Sequence, residues 1–339
     1  MVSRRSAVTA MLLAVVALYF AVRVTTGVAV AALDTPFDGN AGAPVVAAIS
    51  PGASAAEVAA LLQEKGVIRS ARSLRWWMRF SGTAGGIHTG QYRFQGPATL
   101  RQVSDAITQG RVLLETVTVL EGATRWQVAE ALSAAGFGTY EQAWEATRNV
   151  SLIADLDPEA TDLEGYLFPD TYAAPRDTGA EHIVQMMVTQ FRAVWNDQRV
   201  HRAQEAGFTV RELITIASLV EAETGLASER ALVSGVYHNR LRQRMLLQCD
   251  PTLLYALYLD GRRDRNIRRA DFANPSPYNT YRVRGLPPGP IGNPGVASIA
   301  AALHPAATEY VYFVGRNDGS HAFSRTLREH NANVNRYQR

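Results

Sequence analysis

The chain has 339 residues, 47% hydrophobic and 19% charged, and its 34 basic side chains against 31 acidic ones leave a formal charge of +3. That composition excludes a disordered chain, and the length suggests two domains of about 150 residues each. The lone cysteine, Cys249, excludes an internal disulfide framework, and no dense basic stripe marks a nucleic-acid partner.

The first predicted element is apolar. Arg4 and Arg5 precede an uncharged run from Ala7 to Val22, and Arg23 separates it from a small-residue stretch ending at Leu33. The first run alone falls short of a hydrocarbon core of about 30 Å, but the two together span it if Arg23 snorkels. Residues 1–33 are therefore expected to form a cytoplasmic tip and a retained single-pass membrane anchor, with Asp34 and Asp38 on the outer side. A signal peptide cleaved at Ala29-Val30-Ala31 is the alternative. In a bacterium everything beyond the linker at 34–43 would face the periplasm or cell wall.

The chain then repeats itself with an offset of 70 residues: Gly52, Ser54, Val58, Leu62 and Gly66 align with Gly122, Thr124, Val128, Leu132 and Gly136. Each copy predicts a short strand, a glycine turn and a helix opened by a capping box, Ser54 with Glu57 and Thr124 with Gln127. A third such unit lies between them, with a strand from Gln91 to Phe94, a Thr99/Gln102 box and a helix stop at Gly110. These βα units resemble LysM modules, which bind N-acetylglucosamine polymers, although a purely structural role fits equally. Trp76 and Trp77 fall in a predicted helix from Ser70 to Phe80, where an indole is expected to serve the core.

The second half carries the chemistry. Leu163 to Tyr172 packs Glu164, Tyr166, Phe168, Asp170, Thr171 and Tyr172 around Gly165 and Pro169, and Pro169 holds Phe168 extended. Mixed aromatics and carboxylates suit sugar rings, whose C–H faces pack on aromatic planes, and they equally suit a core-packing turn. Thr209 and Glu212 form another capping box, opening a nearly all-apolar and therefore buried helix from Val210 to Glu223. Glu221 follows Ala217 and Ile214 on one face, so it is expected to project from an apolar surface that raises its pKa, as a proton donor to a glycosidic oxygen requires. An ion pair with Arg230 is the plainer alternative. Glu223 points elsewhere and is expected to support or pair.

With these segments in view, the chain resembles the endolytic murein transglycosylase family, the YceG-like proteins. His238-Asn239-Arg240-Leu241, Leu247 to Thr252, Tyr278-Asn279-Thr280-Tyr281, Gly285 to Ile291, Asn293-Pro294-Gly295, His304-Pro305, His321-x-Phe323-Ser324 and His330-Asn331 continue the likeness in order along essentially the whole chain. Cys249 departs from it, standing where a small hydroxyl residue is expected. The resemblance implies cleavage of the β-1,4 bond between N-acetylmuramic acid and N-acetylglucosamine without hydrolysis, leaving a 1,6-anhydro end and terminating nascent strands. It matches Glu221 to the catalytic acid and implies work beside peptidoglycan synthases. As substrate-binding candidates it leaves Glu164, Tyr166, Phe168, Asp170, Thr171, Tyr172, Gln248, Asp250, Tyr278, Asn279, Thr280, Tyr281 and Asn293.

The expected architecture is α+β: the anchor, the linker, a LysM-like subdomain at 44–112 and a mixed α/β catalytic domain at 113–339 that includes the second repeat copy at 116–140. The buried helix carries the catalytic glutamate at a groove floor. No cofactor is expected, and the seven histidines include no H-E-x-x-H or comparable spacing that would hold a metal. Two rival readings stand beside the transglycosylase: a lysozyme-type hydrolase using Asp250 or Glu164 as a second carboxylate, and a non-enzymatic wall-binding scaffold.

Overall fold

The computed structural model describes residues 11–20, 23, 27, 31, 33–264 and 266–338. Much of the expected anchor lies outside these residues. Residues 11–20 are helical with exposed side chains, and among the described residues no helix is long and apolar enough to cross a membrane. The chain divides into two compact units, one comprising residues 1–114 with 175–177, the other 115–174 with 178–339.

In the first unit the order is β1 (Val45–Ile49), α1 (Ala55–Glu64), α2 (Ala71–Phe80), β2 (Gly90–Phe94) and α3 (Leu100–Thr108). β1 and β2 pair antiparallel, Val45 opposite Phe94 and Ile49 opposite Gly90. The expected separate βα units are thus merged into one βααβ hairpin module. A five-residue strand has no backbone partner inside its own βα unit, and pairing β1 with β2 supplies one. Ala47 and Ile49 point inward with Val58, Leu62, Leu74, Met78, Tyr92 and Ile107, forming the core. The capping boxes hold the helix starts: Ser54 N–H donates to Glu57 Oε2 at 2.8 Å, and Thr99 N–H to Gln102 Oε1 at 2.9 Å.

The second unit begins within β3 (Leu114–Thr118), which pairs with β4 (Thr171–Pro175). Between them lie α4 (Arg125–Ala134) and α5 (Tyr140–Ala146). After β4 come α6 (Ala180–Val194), α7 (Asp197–Ala206), α8 (Val210–Glu223), α9 (Arg230–Arg242), α10 (Asp250–Leu259) and α11 (Val296–Leu303). A hairpin of β5 (Tyr312–Gly315) and β6 (His321–Ser324) and a final helix α12 (Leu327–Tyr337) close the chain. α8 is central: every residue from Leu213 to Val220 is buried, and α7, α9, α10 and α11 pack around it. An apolar run on all faces is stable only when helices surround it, which fixes α8 as the rod on which the site is built.

Candidate active site

Two carboxylates end α8, and because residues two apart on a helix stand about 200° apart around its axis, they leave it on different sides. The Glu221 side chain is only 7% exposed. Its Oε2 accepts the Gly295 N–H at 2.9 Å, and its Oε1 lies 3.7 Å from the Arg230 guanidinium. Gly295 is the N-cap of α11, so the carboxylate occupies the positive end of that helix and fastens it to α8. The apolar surroundings expected for Glu221 are replaced by a backbone donor and a cation. This geometry is the ion pair with Arg230 that the sequence held as the alternative.

Glu223 sits differently. Tyr237 Oη on α9 donates to its Oε1 at 2.9 Å, and the Cys249 thiol lies against the same carboxyl. Burial pushes the Glu223 carboxyl above its ordinary value, with the nearby Asp250 charge in support and the Cys249 and Tyr237 hydrogen bonds and His321 opposing. Burial likewise raises the Cys249 thiol well above the thiolate range, so the sulfur is a neutral neighbour and no nucleophile.

Glu223 lines a polar groove of about 540 Å³, with Arg240, Gln248, Asp250, Tyr281 and His321 around it. The walls are held stiffly. Arg240 donates to the carbonyls of Val311 at 2.6 Å and Leu247 at 2.7 Å, tying the residue just before β5 to the loop before α10. Gln248 takes the left-handed conformation, φ +50°, with its N–H donating to Thr280 O at 3.1 Å. A non-glycine residue kept there by its surroundings is the kind of strain found at working sites. Tyr281 Oη donates to Asp250 Oδ1 at 2.5 Å, and burial together with that carboxylate keeps the phenol protonated. Glu229 grips His321 twice, accepting its backbone N–H at 3.0 Å and facing Nδ1 at 2.7 Å, which leaves Nε2 as the ring nitrogen not held by Glu229.

Of the expected substrate residues, Gln248, Asp250 and Tyr281 line this groove. Thr280 and Asn279 are buried behind it. Thr280 Oγ1 accepts the Cys249 N–H at 3.0 Å, and Asn279 Oδ1 accepts the Tyr281 N–H at 3.1 Å, so both position groove residues without facing it. Tyr278 packs its ring on Tyr255, centroids 4.8 Å apart.

From Leu163 to Pro169 the segment is buried, the core-packing alternative, which corrects the sugar-facing role for Glu164, Tyr166 and Phe168, while Asp170 and Thr171 are exposed. Glu164 is 3% exposed and accepts from the Arg125 N–H at 3.0 Å, Tyr255 Oη at 3.0 Å and Asn293 Nδ2 at 3.2 Å. Tyr166 is buried, donating to Asp157 at 2.5 Å; Phe168 is core; Tyr172 donates to Phe168 O at 2.6 Å. Asn293 spends its amide on Ala123 O and Glu164 and its Oδ1 on the Leu167 N–H. The reason is steric and polar together: Gly165, at φ +89°, packs so closely that a Cβ would stand 2.5 Å from Pro290 Cγ, leaving no room for a ligand. Asp170, Thr171 and Tyr172 border a different cavity with His182 and Gln185 of α6.

The groove also includes Tyr312, His330 and Asn331, none proposed from sequence as substrate ligands. The His330-Asn331 motif was the signal for two of them, and Tyr312 had none in the sequence. Among the described residues no three His, Cys, Asp or Glu side chains converge as a metal-ligand set.

Comparison with known proteins agrees with this architecture. Residues 47–336 match the YceG-like family. The chain is 33% identical over 305 residues to the endolytic murein transglycosylase of Bacillus subtilis strain 168, covering 85% of this chain and 83% of that protein. It is 27% identical over 331 residues to the endolytic murein transglycosylase of Streptococcus pneumoniae strain D39, covering 88% of this chain but 59% of that longer protein. Among solved structures, a putative YceG-like protein of Listeria monocytogenes superposes with a TM-score of 0.59 at 29% identity, over 86% of this chain and 99% of that one.

Proposed function

The chain belongs to the YceG-like family and is a peptidoglycan lytic transglycosylase, and from that premise we propose that Glu223 is the acid and base of its reaction. What carries this choice is one contrast: the Glu223 carboxyl lines a polar groove and is pushed toward its protonated form by burial, whereas Glu221 accepts the Gly295 N–H at the start of α11 and faces the Arg230 guanidinium. With Oε1 accepting from Tyr237, the other oxygen carries the proton and gives it to the glycosidic oxygen as the C1–O bond breaks. The carboxylate then takes the proton of the muramic C6 hydroxyl, whose oxygen closes on C1 of its own ring. Every atom is conserved, no water enters, and the new end is a 1,6-anhydro sugar. An intramolecular nucleophile needs no second base, and its proximity supplies part of the rate. Asp250, hydrogen-bonded to Tyr281 beside Glu223, steadies the positive charge that develops at C1.

The βααβ module of the first unit is read as LysM-like and residues 1–33 as the anchor that keeps the enzyme at the membrane, facing the periplasm or wall. There, endolytic cleavage beside peptidoglycan synthases would end nascent strands.

Digestion of purified peptidoglycan by the full chain, with mass spectrometry of the ends, tests the chemistry. Anhydro ends, lighter by one water than reducing ends, are expected, with Glu223→Gln lowering turnover by about 10²–10⁴. Glu221→Gln, which keeps an acceptor for Gly295, is expected to stay within about tenfold of the parent; a collapse confined to that variant would return the acid role to Glu221. Reducing ends would instead identify a hydrolase, the reading that Asp250's place beside Glu223 favours.

A further inference from the structure

The exposed side of α2 has no use in the glycan chemistry, and it is unlike the rest of the first unit. Around a helix, Arg72, Trp76, Arg79 and Phe80 fall within about 60° of Trp76, opposite the buried Leu74 and Met78. Trp76 is 52% and Phe80 74% exposed, and their rings stack face to face at 5.4 Å. From Lys65 to Phe80 the chain carries five cations, Lys65, Arg69, Arg72, Arg75 and Arg79, and no carboxylate. Beside Trp76 lies an apolar cavity of about 410 Å³ walled by Leu33, Phe37, Ile68 and Leu100. Leu33 belongs to the chain that follows the exposed apolar helical residues 11–20, so the cavity and that apolar segment are joined by a short stretch of the same unit.

We propose that this face of α2 docks on the surface of a bilayer rich in anionic phospholipid, with Trp76 and Phe80 at the headgroup and acyl boundary and the arginines on the phosphates. Interfacial helices have this composition, aromatic side chains for the boundary and cations for the anionic headgroups. Sugar-binding faces commonly set carboxylates and amides beside the aromatic plane to hold hydroxyls, and this face carries arginines in their place. Docking would hold the first unit flat against the membrane by a contact separate from the apolar segment at 11–20.

The test uses the full chain in vesicles of phosphatidylcholine mixed with brominated-chain phosphatidylglycerol, following tryptophan fluorescence. Since residues 11–20 are present in every variant, the readout is where the α2 face sits and not whether the protein partitions. Quenching is expected to fall at least twofold in Trp76→Phe, to fall equally in Arg72→Glu/Arg79→Glu, and to be weak when all lipid is zwitterionic. Both variants alter exposed side chains, and circular dichroism checks their fold. A Trp76 share of the fluorescence, taken as parent minus Trp76→Phe, that remains open to aqueous acrylamide on anionic vesicles would overturn the proposal. So would shielding of Trp76 by purified glycan strands in the absence of lipid, which would make the face a wall-binding surface.

Discussion

At the scale of single residues, burial decides which carboxyls keep a proton. Glu164 is pushed up to about 8 because desolvation outweighs the hydrogen bonds from Arg125 and Tyr255. Its folded value lies above its unfolded one, so the native state binds this proton more tightly, and the contribution of Glu164 to stability is fully present below pH 4.5 and is lost as pH rises toward 8. The slope from this group is at most about 1.4 kcal/mol per pH unit. Glu164→Gln keeps an acceptor for the Arg125 N–H and carries no charge, so urea unfolding between pH 5 and 8 should show a flatter decline than the parent's; parallel curves would sink this account. For Glu223 the same cause predicts an alkaline limb of kcat/KM displaced above the ordinary glutamate range, read from a pH–rate profile of the full chain.

Elements impose their own constraints, and glycines show where. Gly165 has φ +89°, and a Cβ would meet Pro290 at 2.5 Å and Ile214 at 2.8 Å, both in packed surroundings. Gly207, the left-handed cap of α7 at φ +74°, has nothing within 4 Å of its Cβ position. Gly165→Ala should therefore cost about 2–4 kcal/mol, backbone strain plus overpacking, and Gly207→Ala only about 1 kcal/mol of strain. Denaturant unfolding of the two variants measures the difference, and equal losses would mean that the wall under α8 yields. The capping boxes at Ser54, Thr99, Thr124 and Thr209 were legible in sequence because each signal is local, one side chain bonding a backbone group three residues away. Strand pairing was not, because β1 meets β2 only after forty residues of intervening chain fold between them.

For the whole molecule, two compact units divide the labour between a βααβ module with a basic aromatic face and a helical body with a polar groove. The mechanism proposed above, with one carboxylic acid and an intramolecular hydroxyl, needs no metal, so glycan cleavage by the full chain should persist undiminished in excess chelator, measured by release of soluble fragments. A loss restored by a divalent cation would require a ligand set that the groove does not offer among its described residues.

Motif order along the chain was enough to place this protein in its family, and apolar periodicity was enough to predict α8 from Val210 to Glu223 and its burial. Gln248, Asp250 and Tyr281 could be picked out because they sit in those motifs, and the groove brings them together. Which glutamate meets the groove was decided by tertiary structure. The two carboxylates share a helix end, and only the packing of the α11 N-terminus on one side and of Tyr237, Cys249 and the groove on the other distinguishes them. Likewise Glu164 and Asn293 read as sugar ligands until folding brings the Arg125 N–H, Tyr255 and Ala123 to them. A sequence records which groups can bond, but burial and the competition among distant partners determine which of them remain for a substrate.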